Sequence, residues 1–250
     1  MTTPIADSTE APAPPKPVSL WEDFIDIFYA PSTVYERREN ANPWPMILII
    51  TVIFAAVTVL TFNSLSSLID AELRAASAKA MAANPQMTAD ALETGIKMQM
   101  GARRWGGVFF PLGVLISGLF VWLLAKILGG KGTYTKAMVV VTYASIIALV
   151  QLLVVGAQAL VLDVSAMTTP DQLSLSAARF VDKAATSPAL YAGLKMLDVF
   201  GIWMIVVMAI GVRVTGKTTK NTAITFGIIW FVVSALIAAA FGARAASMGG

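Results

Sequence analysis

The 250-residue chain is 57% hydrophobic and only 13% charged, with mean hydropathy +0.73, where soluble domains run about 45–50% apolar and about 25% charged. The bilayer is therefore the solvent to reason about, and the absence of cysteine and histidine removes disulfides, Cys/His metal centres, thiol nucleophiles and imidazole bases. Eighteen basic and fifteen acidic residues, spread along the chain for a net +3, leave no nucleic-acid footprint.

Pro4, Pro12, Pro14, Pro15 and Pro17 stand among Thr, Ala, Ser and acids, so residues 1–18 are expected to form a disordered cytoplasmic tail. It lacks the basic n-region of a signal peptide, and the first long apolar block begins only at Trp44. Leu20, Trp21, Phe24, Ile25, Ile27 and Phe28 then recur near helical spacing, with Glu22, Asp23 and Asp26 largely on another face. This predicts an amphipathic helix, opened by a Ser19/Glu22 capping box and stopped at Pro31. Thr33 with Glu36 repeats the capping spacing and predicts a second short helix to about Asn40, so that residues 19–41 are a pre-membrane pair. Asn42-Pro43-Trp44-Pro45 turns the chain into the membrane, with Trp44 suited to the interface.

A span needs about 20 apolar residues. Five blocks supply them, near 44–65, 105–128, 137–162, 195–214 and 222–241, the fourth only by reaching back through Lys195. The predicted fold is all-α: a polytopic bundle of five transmembrane helices over 42–243, with an N-terminal amphipathic helix, an extracytoplasmic helical hairpin and a short extracytoplasmic tail at 244–250. The short links carry Lys126, Lys131 and Lys136, then Arg213, Lys217 and Lys220, with no acid. Such links face the cytoplasm, which places the N-terminus there and the C-terminus outside, against a counter-signal from Arg103-Arg104. In the first long link, helix formers from Leu68 to Ala83, a break at Asn84-Pro85, and Thr88 or Asp90 as caps predict the hairpin. In the second, Thr169-Pro170-Asp171 and Ser187-Pro188 bracket a short helical stretch expected near Leu175 to Ala184.

Gly211-Val212-Arg213-Val214-Thr215-Gly216-Lys217-Thr218 matches the phosphate-loop spacing G-x-x-x-x-G-K-[ST]. It joins two apolar spans rather than a strand and a helix, so a basic glycine-punctuated turn is preferred, as it is for Gly129-Gly130-Lys131-Gly132-Thr133. Met81, Met87, Met98 and Met100 are soft enough for Cu(I) but have no His or Cys support, and hairpin packing explains them better. The intramembrane polar candidates are Gln151 and Gln158, seven apart on one face of the third span, and Asp198, three from Lys195 and placed to pair with it. Interhelical hydrogen bonding is favoured over a conduction path for the glutamines. Small-residue stripes at Ser234, Ala238 and Gly242, and at Ala144, Ala148 and Gly156, let helices approach closely.

The chain resembles the Yip1 domain membrane proteins from about Leu20 to Phe241. The likeness rests on Phe24-Ile25-Asp26-Ile27-Phe28-Tyr29-Ala30-Pro31 with the short helix after it, on Gly129-Gly130-Lys131-Gly132-Thr133-Tyr134 leading to Tyr143-Ala144, and on Asp198-Val199-Phe200-Gly201-Ile202-Trp203 continuing to Ile210-Gly211. The resemblance implies a non-enzymatic integral membrane protein without catalytic residues or cofactor. It implies partners of the kind known for the family: Rab GTPases and other members in eukaryotic trafficking, an ABC transporter for some bacterial members. Asp26-Ile27-Phe28-Tyr29-Ala30-Pro31 departs from the eukaryotic Asp-Leu-Tyr-Gly-Pro form, which favours a prokaryotic member in the cytoplasmic membrane. The expected function is a scaffold or accessory subunit that docks a membrane or cytoplasmic protein, with self-association also open. Its interface candidates are Trp21, Phe24, Phe28, Pro31, Lys131 and Lys217. A solute or ion path along the Gln151/Gln158 face is the alternative.

Overall fold

The computed structural model describes residues 19–84 and 86–249. The tail at 1–18 and the turn residue Pro85 lie outside the described residues. Two short helices come first, α1 (Leu20–Tyr29) and α2 (Pro31–Arg38). Ser19 caps α1 by accepting from the Trp21 amide. Pro31, expected only to end α1, also opens α2, so the Thr33/Glu36 start is corrected. A proline at the first helical position has φ preset and no amide to leave unpaired.

Pro43 and Pro45 open α3 (Trp44–Ala83), with the Asn42 side chain accepting from the Trp44 amide. At 40 residues α3 is about 60 Å long, twice a hydrocarbon core, so the first span and the first arm of the hairpin are one helix. Thr88 caps α4 (Ala89–Trp105), the returning arm. A 3₁₀ turn at Gly106–Phe109 then leads into α5 (Phe110–Ile127), the second span. That turn crosses α3 at Gly107, where a Cβ would lie 2.7 Å from the Phe54 and Ala55 backbone; only glycine permits the approach.

Thr133 caps α6 (Tyr134–Val161), the third span. It is the centre of the bundle: 56% of its most apolar stretch is buried, against 6% in the last span. The second long link is not one helical stretch near Leu175 to Ala184 as expected. It is a chain of 3₁₀ turns, Val164–Ala166, Pro170–Leu173 and Ala177–Phe180, followed by α7 (Pro188–Met196). The fourth span is α8 (Val199–Gly216), and it does not run back through Lys195. Asp198 caps α8 and accepts from the Phe200 and Gly201 amides at 2.9 and 3.0 Å, ending α7 two residues earlier. Amides Ala177 and Val199 bond across this break to the Leu197 and Leu175 carbonyls, tying the loop to it. The last span, α9 (Lys220–Gly249), stays helical past the expected end at 241 and through most of the stretch read as a tail. Its Gly242 meets Pro188 and Ala192 of α7 at a would-be Cβ distance of 2.7–3.2 Å, which gives the C-terminal small-residue stripe an intramolecular partner.

Two apolar cores result. The larger gathers α1, α2, α3, α5, α8 and α9 around α6, and the smaller packs the hairpin against the end of α6 through Phe62, Leu65, Leu68, Ile96, Ala159 and Leu173. Lys131, Lys136 and Lys217 mark one end of the bundle, hereafter the basic end; the α3–α4 hairpin marks the other.

Candidate docking face at the basic end

Asp23 of α1 is completely buried, although its spacing suggested a polar outer face. Its carboxylate binds Arg37 Nη2 at 2.7 Å and Arg38 Nε at 2.7 Å, while Asp26 binds Arg37 Nη2 at 2.7 Å. These pairs bracket Ala30, so α1 and α2 fold back on each other with charge sealed between them. Asp26 also accepts from the Tyr29 hydroxyl. That bond, with Arg37, holds its carboxyl below the ordinary aspartate range.

With Asp23 turned inward, the opposite side of α1 is apolar and exposed. Trp21, Ile25 and Tyr29, four residues apart, are 65%, 66% and 71% exposed. Phe24 and Phe28 are not on this face: both pack against the main core, and Phe28 meets the Trp203 ring edge-on at 5.8 Å. The sequence reasoning found the helix and Trp21 but missed Ile25 and Tyr29. The spacing Trp21/Ile25/Tyr29 was visible, whereas the face turned inward is set by two arginines fourteen or more residues on.

The α1–α2 pair is pinned further along α2. The buried Tyr35 hydroxyl donates to the Val140 carbonyl at 3.1 Å, and Gly211 of α8 lies so close that a Cβ there would sit 2.8–2.9 Å from Val140 and the Tyr35 ring. Glu39 then receives Lys217 Nζ at 2.8 Å and Lys136 Nζ at 3.7 Å, and Lys217 chiefly holds the Glu39 carboxyl below its ordinary value. The Lys131 amide bonds the Gly216 carbonyl at 2.9 Å, joining the two basic turns, while its ammonium makes no ion pair among the described residues. Pro31 lines a groove between α8 and α9.

Gly211 to Gly216 lie inside α8 and Lys217 is its left-handed cap at φ 52°, so the phosphate-loop spacing forms no strand-loop-helix cradle. Met81 and Met98 are exposed and Met100 packs on the smaller core. Lys195 pairs with Asp171 at 2.8 Å, not with Asp198 as expected, because the break between α7 and α8 points Asp198 into the α8 amides. Gln151 and Gln158 are tied to different groups: Gln151 donates to Asp198 Oδ1 at 2.9 Å and Gln158 to the Leu173 carbonyl at 2.9 Å. Asp198 Oδ2 is buried with no hydrogen-bond partner among the described residues.

A chain whose described residues include five helices long and apolar enough to cross a bilayer, with the hydroxyls of Thr142, Ser145 and Thr215 bonded back to carbonyls of their own helices, is an integral membrane protein. It belongs to the Yip1 domain family, whose model matches residues 25–241. It is similar to the membrane protein YknW of Bacillus subtilis (strain 168), at 29% identity over 206 residues, 82% of this chain and 83% of that one. No solved structure matches it.

Proposed function

We propose that this protein is a non-enzymatic membrane scaffold or accessory subunit, and that the outward face of α1 docks a membrane protein partner in the cytoplasmic membrane. The carrying observation is the Trp21/Ile25/Tyr29 stripe on a helix locked by buried Asp23. Apolar side chains held rigidly outward lose little further entropy on binding. Tyr29 of the stripe lines the same groove as Ile202 and Val206 of α8, so an apolar partner helix can reach both. Repulsion of this helix from anionic lipid, expected from its acids, is reduced because Asp23 and Asp26 are neutralised by Arg37 and Arg38. An ABC transporter is the partner class carried over from the family resemblance. The basic end faces the cytoplasm in this reading, on the strength of its short acid-free links.

A photo-crosslinker at Ile25 in native membranes tests the docking. The expected result is one protein adduct, lost when Trp21 and Tyr29 become Ala while insertion is unchanged; adducts with lipid alone would overturn it. Because the chain has no cysteine, Lys131→Cys and Lys183→Cys report sidedness, and only the second should react with an impermeant thiol reagent from outside.

A second reading, an ion path beside α6, has one observation in its favour, the buried Asp198 Oδ2 without a hydrogen-bond partner among the described residues. Asn also caps helices, so Asp198→Asn keeps the fold and removes the charge. Flux in proteoliposomes that this variant abolishes would establish the path, and absence of flux in both forms would reject it.

A further inference from the structure

Between α8 and α9 lies a groove of about 730 Å³, within the range of about 300–1,000 Å³ usual for small-molecule sites. Ile202, Ile205, Val206, Ile224, Gly227 and Phe231 line its length, with the α1–α2 bend from Tyr29 to Ser32 as one wall. Its charged lining residues are confined to one end. Arg213, one turn before the end of α8, and Lys220, the first residue of α9, both border it at the basic end. From there the groove reaches Ile202 on α8 and Phe231 on α9, eleven residues further along each helix or about 16 Å. Both cations are exposed, and neither makes an ion pair among the described residues, although Lys136 and Lys217 nearby share Glu39. No carboxylate is among the described lining residues.

We infer that this groove binds one anionic phospholipid, its phosphate held by Arg213 and Lys220 and an acyl chain laid along α8 and α9. The charge pattern selects this occupant. A partner protein helix would cover the apolar length but leave two cations at its end unmatched, whereas a lipid carries an anion and a hydrocarbon chain in that order. Basic pockets between helices at the cytoplasmic face take anionic headgroups for the same reason. The first turn of α9 adds the positive end of its helix dipole to Lys220.

Native mass spectrometry of the full chain, released from mixed micelles containing phosphatidylglycerol or phosphatidylcholine, tests this. One phosphatidylglycerol should stay bound to the wild type, and its occupancy should fall at least about tenfold in Arg213→Gln/Lys220→Gln. Lys126→Gln/Lys131→Gln removes the same charge from cations that also lack an ion pair among the described residues, and should leave occupancy unchanged. Glycerol 3-phosphate, a headgroup without a chain, should not displace the lipid. Equal loss in the two double variants, equal retention of phosphatidylcholine, or displacement by glycerol 3-phosphate would each overturn the assignment. None of these variants touches the α1 stripe, so failure here leaves the docking reading standing.

Discussion

The basic end and the hairpin end both use arginine–carboxylate pairs, in opposite surroundings. At the hairpin, Arg74 joins Asp70 and Glu93 at 2.8 and 3.1 Å, and Arg103 joins Glu72 at 3.2 Å, with the arginines about half exposed. At the basic end Asp23 is fully buried between Arg37 and Arg38. The geometry is similar but the energetics are not. An exposed pair contributes about 0–1 kcal/mol, while removing one partner of a buried pair costs about 3–5 kcal/mol because a charge is left stranded. The buried cluster therefore decides how α1 is held, and the exposed pairs only trim the hairpin surface.

Asp23→Ala should be the most damaging change in this comparison. It removes the buried carboxylate that Arg37 and Arg38 share and should lower stability in mild detergent by about 3–5 kcal/mol, read from the melting midpoint. Hydrogen exchange should rise selectively in α1 and α2; unchanged protection there would break the contrast between the two ends. Gly211→Val should come next, at about 1–3 kcal/mol, because its side chain overlaps Tyr35 and Val140. Acid should act more weakly and in a stated direction. Asp26 and Glu39 are held below their ordinary values, so their contribution is complete at neutral pH and is lost as pH falls below about 4, through those lowered values. The melting midpoint should drop on acidification, and the drop should shrink in Glu39→Gln. Arg74→Ala should have the smallest effect, within about 1 kcal/mol and weaker still in high salt; a larger loss would mean that the hairpin pairs are not ordinary surface pairs.

Hydropathy alone located the spans carried by α3, α5, α6, α8 and α9, because twenty apolar residues in a row leave few alternatives. The hairpin was equally legible, from the helix formers before Asn84 and the Thr88 cap after it. The break at Asp198 was not. Its capping signal was present, but the length required of a span outweighed it, and the fourth span was extended through Lys195. The structure ends α7 at Met196 and opens the fourth span, α8, only after Asp198. The inward face of α1 was illegible for a different reason. Periodicity assigns acids to water unless a partner is known, and the partner, Arg37-Arg38, lies on the next helix. The α8–α9 groove depends on residues from α1, α2, α8 and α9 meeting in space, which no local pattern encodes.

The length of α3 carries a mechanical consequence. One unbroken rod of about 60 Å begins beside the basic turns and ends in the hairpin, fixed along the way where Gly107 sits against its backbone. Such a rod is a lever with its fulcrum inside the bundle: tilting it by about 5° about the Phe54–Ala55 contact would carry the hairpin end, about 42 Å away, by about 4 Å. Displacement of the hairpin would thus arrive on the opposite side as a change in angle, without unwinding a single turn.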